Sequence, residues 1–466
     1  MTFDSRHLQR AIPLLVFLLW VQGDPFFWDT VQLASKHAHF FYENGMRWLP
    51  LPIEIDSGHP PLLGYYLAWL WTILGKSLVV SHWAMAPFLG LLVYLPFQIA
   101  KAVGQEKWAW LLMVLLWADP VLLGQSALVS PDILVAAGFF SVVWGWKAAR
   151  RSWVVVGALL LCSSSMRGMM TCAALGLCVT LELYFRQADR KELLRSWIPF
   201  LPGGILGISF LIWHYETTGW IGHFEGSTWA AAFERVDGRG FLRNILIVGW
   251  RWVDLGRIAE WGLVAFLFFR AKRLGKAEWW LLVGCLVLFL SPSALIYANL
   301  SAHRYFLPLF MAFHLAVWSA ILEQNWLEKT KRWLGYGIGF ILITGNLWIY
   351  PKGISMDWDA TLAHRSYHPL REEALRYLDS LEIDYSKVGS AFPNLNSGEM
   401  LLLNGDQRLF SSLNLAENEW VLASNIFNDI DLPEYTQLEA HWDLVQQWEK
   451  RGVWIQLYRR RNQAGR

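Results

Sequence analysis

Residues 101–151, KAVGQEKWAWLLMVLLWADPVLLGQSALVSPDILVAAGFFSVVWGWKAARR, contain two apolar runs framed by basic clusters. The first run, 108–124, leaves the Lys101–Lys107 cluster, and the second, 132–149, returns to Lys147–Arg151. Apolar runs of this kind read as membrane crossings, and Lys and Arg concentrate on the cytoplasmic side. The rest of the chain repeats the pattern. Basic clusters recur at Arg186–Arg195, Arg270–Lys276 and Lys329–Arg332, so an even number of crossings must separate neighbours. Residues 152–166 and 169–185 make a second hairpin. Residues 197–213 with 256–269, and 277–292 with 305–322, make two more, and 333–350 leaves without returning.

At the beginning, Arg6-His7 and Arg10 precede the apolar run Ala11–Val21. No small-residue cleavage site stands before Asp24-Pro25, so a retained first helix is expected. One crossing must then reach Lys101. Pro60–Gly75 is 16 residues, about 24 Å as a helix and short for a core of about 30 Å. It is assigned as a re-entrant or interfacial segment and Ser81–Ala100 as the crossing. The expected fold is a polytopic α-helical membrane protein of about eleven transmembrane helices, N-terminus in the cytoplasm.

Composition agrees. The 466 residues are 55% hydrophobic with 30 Trp, more apolar sequence than a soluble core of this length needs. A net charge of +2 implies no nucleic-acid partner. Cys162, Cys172, Cys178 and Cys285 all lie in apolar runs without metal-ligand spacing and read as core residues.

Gly23 to Ser81 forms a long first outer loop in which Val31, Ala34, Ala38 and Phe41 repeat at helical spacing, the pattern of an amphipathic surface helix. From Pro351 the apolar runs shorten. Leu370, Ala374, Leu378 and Leu381 share a helix face; Val388–Phe392, Trp420–Ser424 and Val453–Tyr458 read as strands, with Arg451-Gly452 as a hairpin turn. Two domains are expected: a transmembrane part, 1–350, and a small extracytoplasmic α/β domain, 351–466. No internal repeat is evident.

The chemistry-bearing residues collect at the outer ends of these segments. Asp29 opens the amphipathic helix, as an N-cap, a catalytic carboxylate, or both. Asp132 follows Ser130-Pro131, an ordinary helix start that also puts a carboxylate at the membrane mouth. Arg167 lies at an outer turn against the positive-inside preference, either snorkelling or binding a phosphate. His303-Arg304-Tyr305 is an interfacial anchor or a second phosphate contact. His59-Pro60-Pro61 opens the short segment with an extended turn.

In this order, Asp29, Gly58-His-Pro-Pro-Leu62, Ser130-Pro-Asp132, Arg167-Gly168 and His303-Arg-Tyr-Phe-Leu-Pro308 resemble the GT-C glycosyltransferases. The similarity is to the protein mannosyltransferase and aminoarabinose transferase group, glycosyltransferase family 39. It covers roughly residues 10–350, and the C-terminal domain matches no named module. The resemblance implies a polyprenyl-phosphate sugar donor, a membrane-lipid environment and a location in the bacterial inner membrane. It implies Asp29 as catalytic carboxylate, Asp132 as the second acid, and Arg167 at the donor phosphate; beside these, Arg304 and His303 are read as further phosphate contacts and His59 as part of a substrate loop. Thr30 stands where many members have Glu, and Arg167-Gly168 where Lys-Gly is usual; these departures bear on substrate more than on reaction class. The acceptor is a protein, lipid or glycan hydroxyl. No cofactor is required by the pattern, although two carboxylates leave room for a divalent cation. A transporter or lipid flippase is the alternative, disfavoured by the lack of repeats. An inactive sensor with the outer domain as binding module is a third.

Overall fold

The computed structural model describes residues 5–461 except 228, 272, 353 and 355, with side chains from residue 12 onward; the cationic flank Arg6, His7 and Arg10 lies outside the described side chains. The chain is mostly helical and ends in a small sheet. Among the described residues, five helical segments are long and apolar enough to cross a membrane: Leu78–Ala102, Met166–Phe185, Arg190–Thr218, Ala277–Ile296 and His303–Leu322. A sixth is the bent pair Glu106–Ala118 and Pro120–Ala127, which meet at 69°.

The first helices are α1 (Ser5–Val21), α2 (His37–Glu43), α3 (Leu62–Leu74), α4 (Leu78–Trp83) and α5 (Ala86–Ala102). Next come α6 (Ala109–Ala118), α7 (Pro120–Ala127), α8 (Pro131–Lys147), α9 (Arg151–Ser164) and α10 (Met166–Phe185). The expected straight crossing over 108–124 is thus two helices. Asp119 and Pro120 cause the break. The Asp119 carboxylate accepts from Val121 N at 2.8 Å and Leu122 N at 3.2 Å, while Pro120 occupies the first turn of α7. That is a helix start inserted into an apolar run. Asp119 tolerates full burial because Arg257 reaches it at 2.8 Å and His314 at 3.1 Å.

The chain continues through α11 (Arg190–Trp197), α12 (Leu201–Thr218), α13 (Gly238–Val253), α14 (Ile258–Phe266), α15 (Ala277–Ile296), α16 (Leu307–Leu322) and α17 (Glu328–Thr344). Helix α13 falls in a stretch left unassigned between two expected crossings. It turns Asn244 inward to the carbonyls of Leu295 and Tyr297, at 3.1 and 2.8 Å, and leaves Leu242 and Leu246 exposed. The short segment over 60–75 is helix α3, packed beside α2. Val31, Ala34, Ala38 and Phe41 are all buried, on a π turn, Val31–Lys36, that runs directly into α2.

In the C-terminal region, α18 (Tyr367–Ser380) covers a five-stranded sheet of order β2-β1-β3-β5-β4. The strands are β1 (Val388–Ser390), β2 (Ser411–Ser412), β3 (Trp420–Ser424), β4 (Trp442–Lys450) and β5 (Val453–Arg460). Strand β1 pairs in parallel with β2 and β3; β5 runs antiparallel to β3 and β4. Arg451 and Gly452, at φ 51° and 78°, make the β4–β5 turn. The sheet's core takes in Phe27, from the segment between α1 and α2, and Trp28 packs against it. Phe27 is buried there, stacked on His364 at 5.0 Å.

Candidate functional site

Arg304 is the centre of the site. It lies in a 3-10 turn, His303–Phe306, that leads into α16, and its guanidinium is buried. Three carboxylates share it. Asp29 contacts Nη2, Asp132 contacts Nη1 at 3.1 Å, and Asp359 contacts Nε at 2.9 Å. The fork of a guanidinium offers donors in several directions from one plane, which a lysine ammonium cannot match. One guanidinium thus bridges Asp29 and Asp132.

Each carboxylate arrives by a different local device. For Asp132 it is the predicted helix start: Ser130 accepts from Asp132 N at 3.2 Å and Pro131 opens the first turn. For Asp29 it is the preceding pair. Trp28 has a φ of 51°, a conformation an aromatic residue adopts only when its surroundings hold it. Phe27, locked in the sheet's core, and Thr30 hold it. The Thr30 hydroxyl accepts from Phe27 N at 2.9 Å and donates to Phe27 O at 2.8 Å. The Asp29 carboxylate therefore turns to Arg304 and makes no capping bond among the described residues. Asp359 comes from the start of the C-terminal region, on a short turn, Trp358–Ala360, wedged in by the buried Trp358 ring.

The three differ in access. The Asp29 side chain is 24% exposed, against 6% for Asp132 and 4% for Asp359. Burial pushes the Asp359 carboxyl up to about 7; Arg304 opposes the rise and Asp29, Asp357 and Asp132 add to it. A carboxyl raised this way keeps its proton in the folded chain after the unfolded chain, at 3.8, has lost it. Its contribution to stability therefore falls as pH rises from about 4 to about 7. Asp359→Asn keeps an acceptor for Arg304 Nε and removes that slope. Relative to the parent, its Tm is expected to rise between about pH 4 and about pH 7 in thermal unfolding. A pH-independent difference would contradict the assignment.

His303 is held on both sides. Its backbone N and Nδ1 reach Asp357 at 2.8 and 2.7 Å, and Nε2 reaches Asp254 at 3.0 Å. Asp357 also faces Arg251 at 3.4 Å. Its carboxyl is well below the usual range because Arg251 and His303 outweigh the effect of burial.

Arg167, in the first turn of α10, sits over the Tyr305 ring, 3.7 Å from its centre; Arg304 is 4.7 Å from the same centre. Two guanidiniums on one ring are a cationic pair. Arg167 has no ion pair among the described residues, and its buried Nε has no hydrogen-bond partner. His59 lines the same small cavity as Arg167, Asp132 and His37, and its buried Nδ1 is also unpartnered. Burial, with Arg167 next in effect, lowers His59 to about 3, so its imidazole is neutral. The His59 loop is fixed from behind. Asp56 accepts from Gly58 N at 2.8 Å and meets His214 of α12 at 2.9 Å. Gly58, at φ +70°, leaves no room for a side chain: a Cβ would lie 2.8 Å from the Trp220 ring.

The structure thus brings Asp29, Asp132, Arg167, Arg304 and His59 around one ring and one cavity, with His303 behind them. Sequence reasoning missed Asp357 and Asp359. Their only trace is the run Met356-Asp-Trp-Asp359, and nothing in it points to residues 303 and 304. Among the described residues, no group of three or more His, Cys, Asp or Glu side chains is set to hold a metal ion.

No protein-family model and no curated protein matches the sequence. Among solved structures, the chain is similar to ArnT from Cupriavidus metallidurans, in a crystal structure bound to undecaprenyl phosphate, with a TM-score of 0.55 at 11% identity. The likeness is one of fold. It covers 98% of both chains, so it takes in the C-terminal sheet as well as the helices. The resemblance expected over residues 10–350 alone is corrected accordingly: the ArnT-like architecture spans both parts.

Proposed function

We propose that this chain is an integral membrane glycosyltransferase that moves a sugar from a polyprenyl-phosphate donor to an acceptor hydroxyl, with inversion, on the face away from the cytoplasm. One observation carries the proposal: a reachable carboxylate, Asp29, stands beside a cationic pair, Arg304 and Arg167, of which Arg167 has donors to spare. The fold likeness to a protein captured with undecaprenyl phosphate supports the donor class.

In this mechanism the acceptor oxygen attacks the anomeric carbon as its proton passes to Asp29. The bond from that carbon to the phosphate oxygen breaks, and its electron pair leaves on the polyprenyl phosphate. Arg167 meets the growing negative charge in a dry setting, where fixed donors act most strongly. Neutral His59 supplies a second donor without adding charge. Asp132 and Asp359 hold Arg304 in place, and His303, with both nitrogens engaged, is a positioning residue for the Arg304 turn. The acceptor, whether protein, lipid or glycan, enters beside Asp29.

The test is release of polyprenyl phosphate from a panel of lipid-phosphate sugars, with purified protein in lipid and hydroxyl acceptors. One sugar is expected to support release, giving a product of inverted configuration. A retained configuration would sink the single-displacement mechanism. No release from any sugar, together with lipid movement across vesicles, would support the flippase alternative. Arg167→Ala is expected to lower kcat/KM by roughly 10²-fold, with partial rescue by Arg167→Lys. An unchanged kcat/KM would remove Arg167 from the phosphate.

A further inference from the structure

Helices α8 and α10 begin at the site, with Asp132 and Arg167, and end at a second cavity of about 820 Å3. Asp132 and Lys147 mark the two ends of α8, about 22 Å apart along the helix. The cavity walls are strongly charged, and their charges do not cancel. Lys147 is neutralised between Glu182 and Glu278, at 3.0 Å from each, and Arg186 shares the same two carboxylates at 2.5 and 3.3 Å. Asp189 is occupied as the N-cap of α11, accepting from Glu192 N at 2.7 Å. Arg151, Lys191, Arg195 and Lys276 also line the cavity, and none has an ion pair among the described residues. Glu192 is the uncommitted acid facing them.

With Asp189 and Glu192 counted, four cations against two carboxylates in a concave site still attract an anion. The surroundings select which kind. Helix α11 connects two apolar helices, and beside its cations it exposes Leu194 and Trp197, at 74% and 40%, with Ile198, the next residue, at 55%. Phe185, at the end of α10, is also exposed. A soluble phosphate would use the cations and leave this apolar rim idle. A phospholipid uses both, with its phosphate on the basic side chains and its acyl chains on the rim.

We infer that this cavity binds the phosphate headgroup of an anionic phospholipid, at the end of the helices opposite the proposed catalytic site. Arg151, from α9, Arg195, from α11, and Lys276, just before α15, contact the phosphate. A lipid there is held by residues from three separate elements packed around α10.

Native mass spectrometry of the purified full chain, titrated with phosphatidylglycerol, phosphatidylcholine or inorganic phosphate, tests the site. The parent is expected to bind phosphatidylglycerol in preference to phosphatidylcholine. The double variant Arg151→Gln/Arg195→Gln is expected to bind it roughly 30-fold more weakly, about fivefold for each cation removed. Lys276→Gln, on another element, is expected to lose about fivefold and covers the case in which the double variant does not fold. Equal phosphatidylglycerol binding by parent and variants would overturn the site, as would equal binding of the two lipids by the parent. Variant-sensitive binding of inorganic phosphate as tight as that of phosphatidylglycerol would leave an anion site and overturn its assignment to lipid.

Discussion

Asp29→Asn is expected to lower the rate of sugar transfer by about 10³-fold while leaving the protein folded. The side chain keeps its size and an oxygen acceptor for Arg304, so the tie between the segment before α2 and the turn leading into α16 survives. What it loses is the ability to take a proton. General bases typically contribute 10²–10⁴-fold, roughly the range in which this variant should fall. Asp29 is the natural choice among the three carboxylates because it is the most exposed and because two more buried partners already hold Arg304. Transfer rate and donor affinity should be measured together. A loss of rate with donor binding intact places Asp29 at the reacting hydroxyl. A parent-like rate would reduce it to a partner of Arg304.

Arg304→Met carries the largest expected cost in stability. Three carboxylates would then face one another, two of them nearly out of water, without a cation between them. Breaking a buried ion pair by removing one partner costs about 3–5 kcal/mol. Here the same change also removes one tie between the C-terminal region and the turn before α16, Asp359 to Arg304 Nε at 2.9 Å, and leaves the load on the His303–Asp357 bonds. The expected result is a large drop in Tm, read by thermal unfolding in lipid or detergent. Asp132→Asn in the Arg304→Met background should recover part of it by removing a buried acid that has lost its partner. Arg304→Lys should fall between, because a single ammonium cannot meet three acceptors at once. A parent-like Tm for Arg304→Met would show that the carboxylates are held by something else.

How far the sequence led can be judged from particular residues. Spacing alone put Val31, Ala34, Ala38 and Phe41 on one helix face, and all four are buried. The Arg451-Gly452 turn and the strands around 388, 420 and 453 were readable because alternation and turn residues are local signals. The short strand β2, two residues long, has no such pattern. The break at Asp119-Pro120 was in fact written in the sequence, as a capping residue followed by proline, but the surrounding leucines masked it. Helix α13 was missed for a different reason: it is amphipathic and too polar to read as a crossing.

The helical character, the basic clusters between apolar runs and the change of composition at residue 351 follow from side-chain polarity and period, which are properties of neighbouring residues. So do the helix starts that present Asp132 and Arg167. The pairing of Arg304 with Asp29, Asp132 and Asp359 is of another kind. These residues lie 275, 172 and 55 positions from Arg304, and only packing sets which carboxylate meets which nitrogen. Anchoring Phe27 in the sheet's core turns Asp29 inward, and wedging Trp358 turns Asp359 toward it. Desolvation then makes those contacts strong. No local pattern encodes that burial, so the assembled site belongs to the tertiary structure.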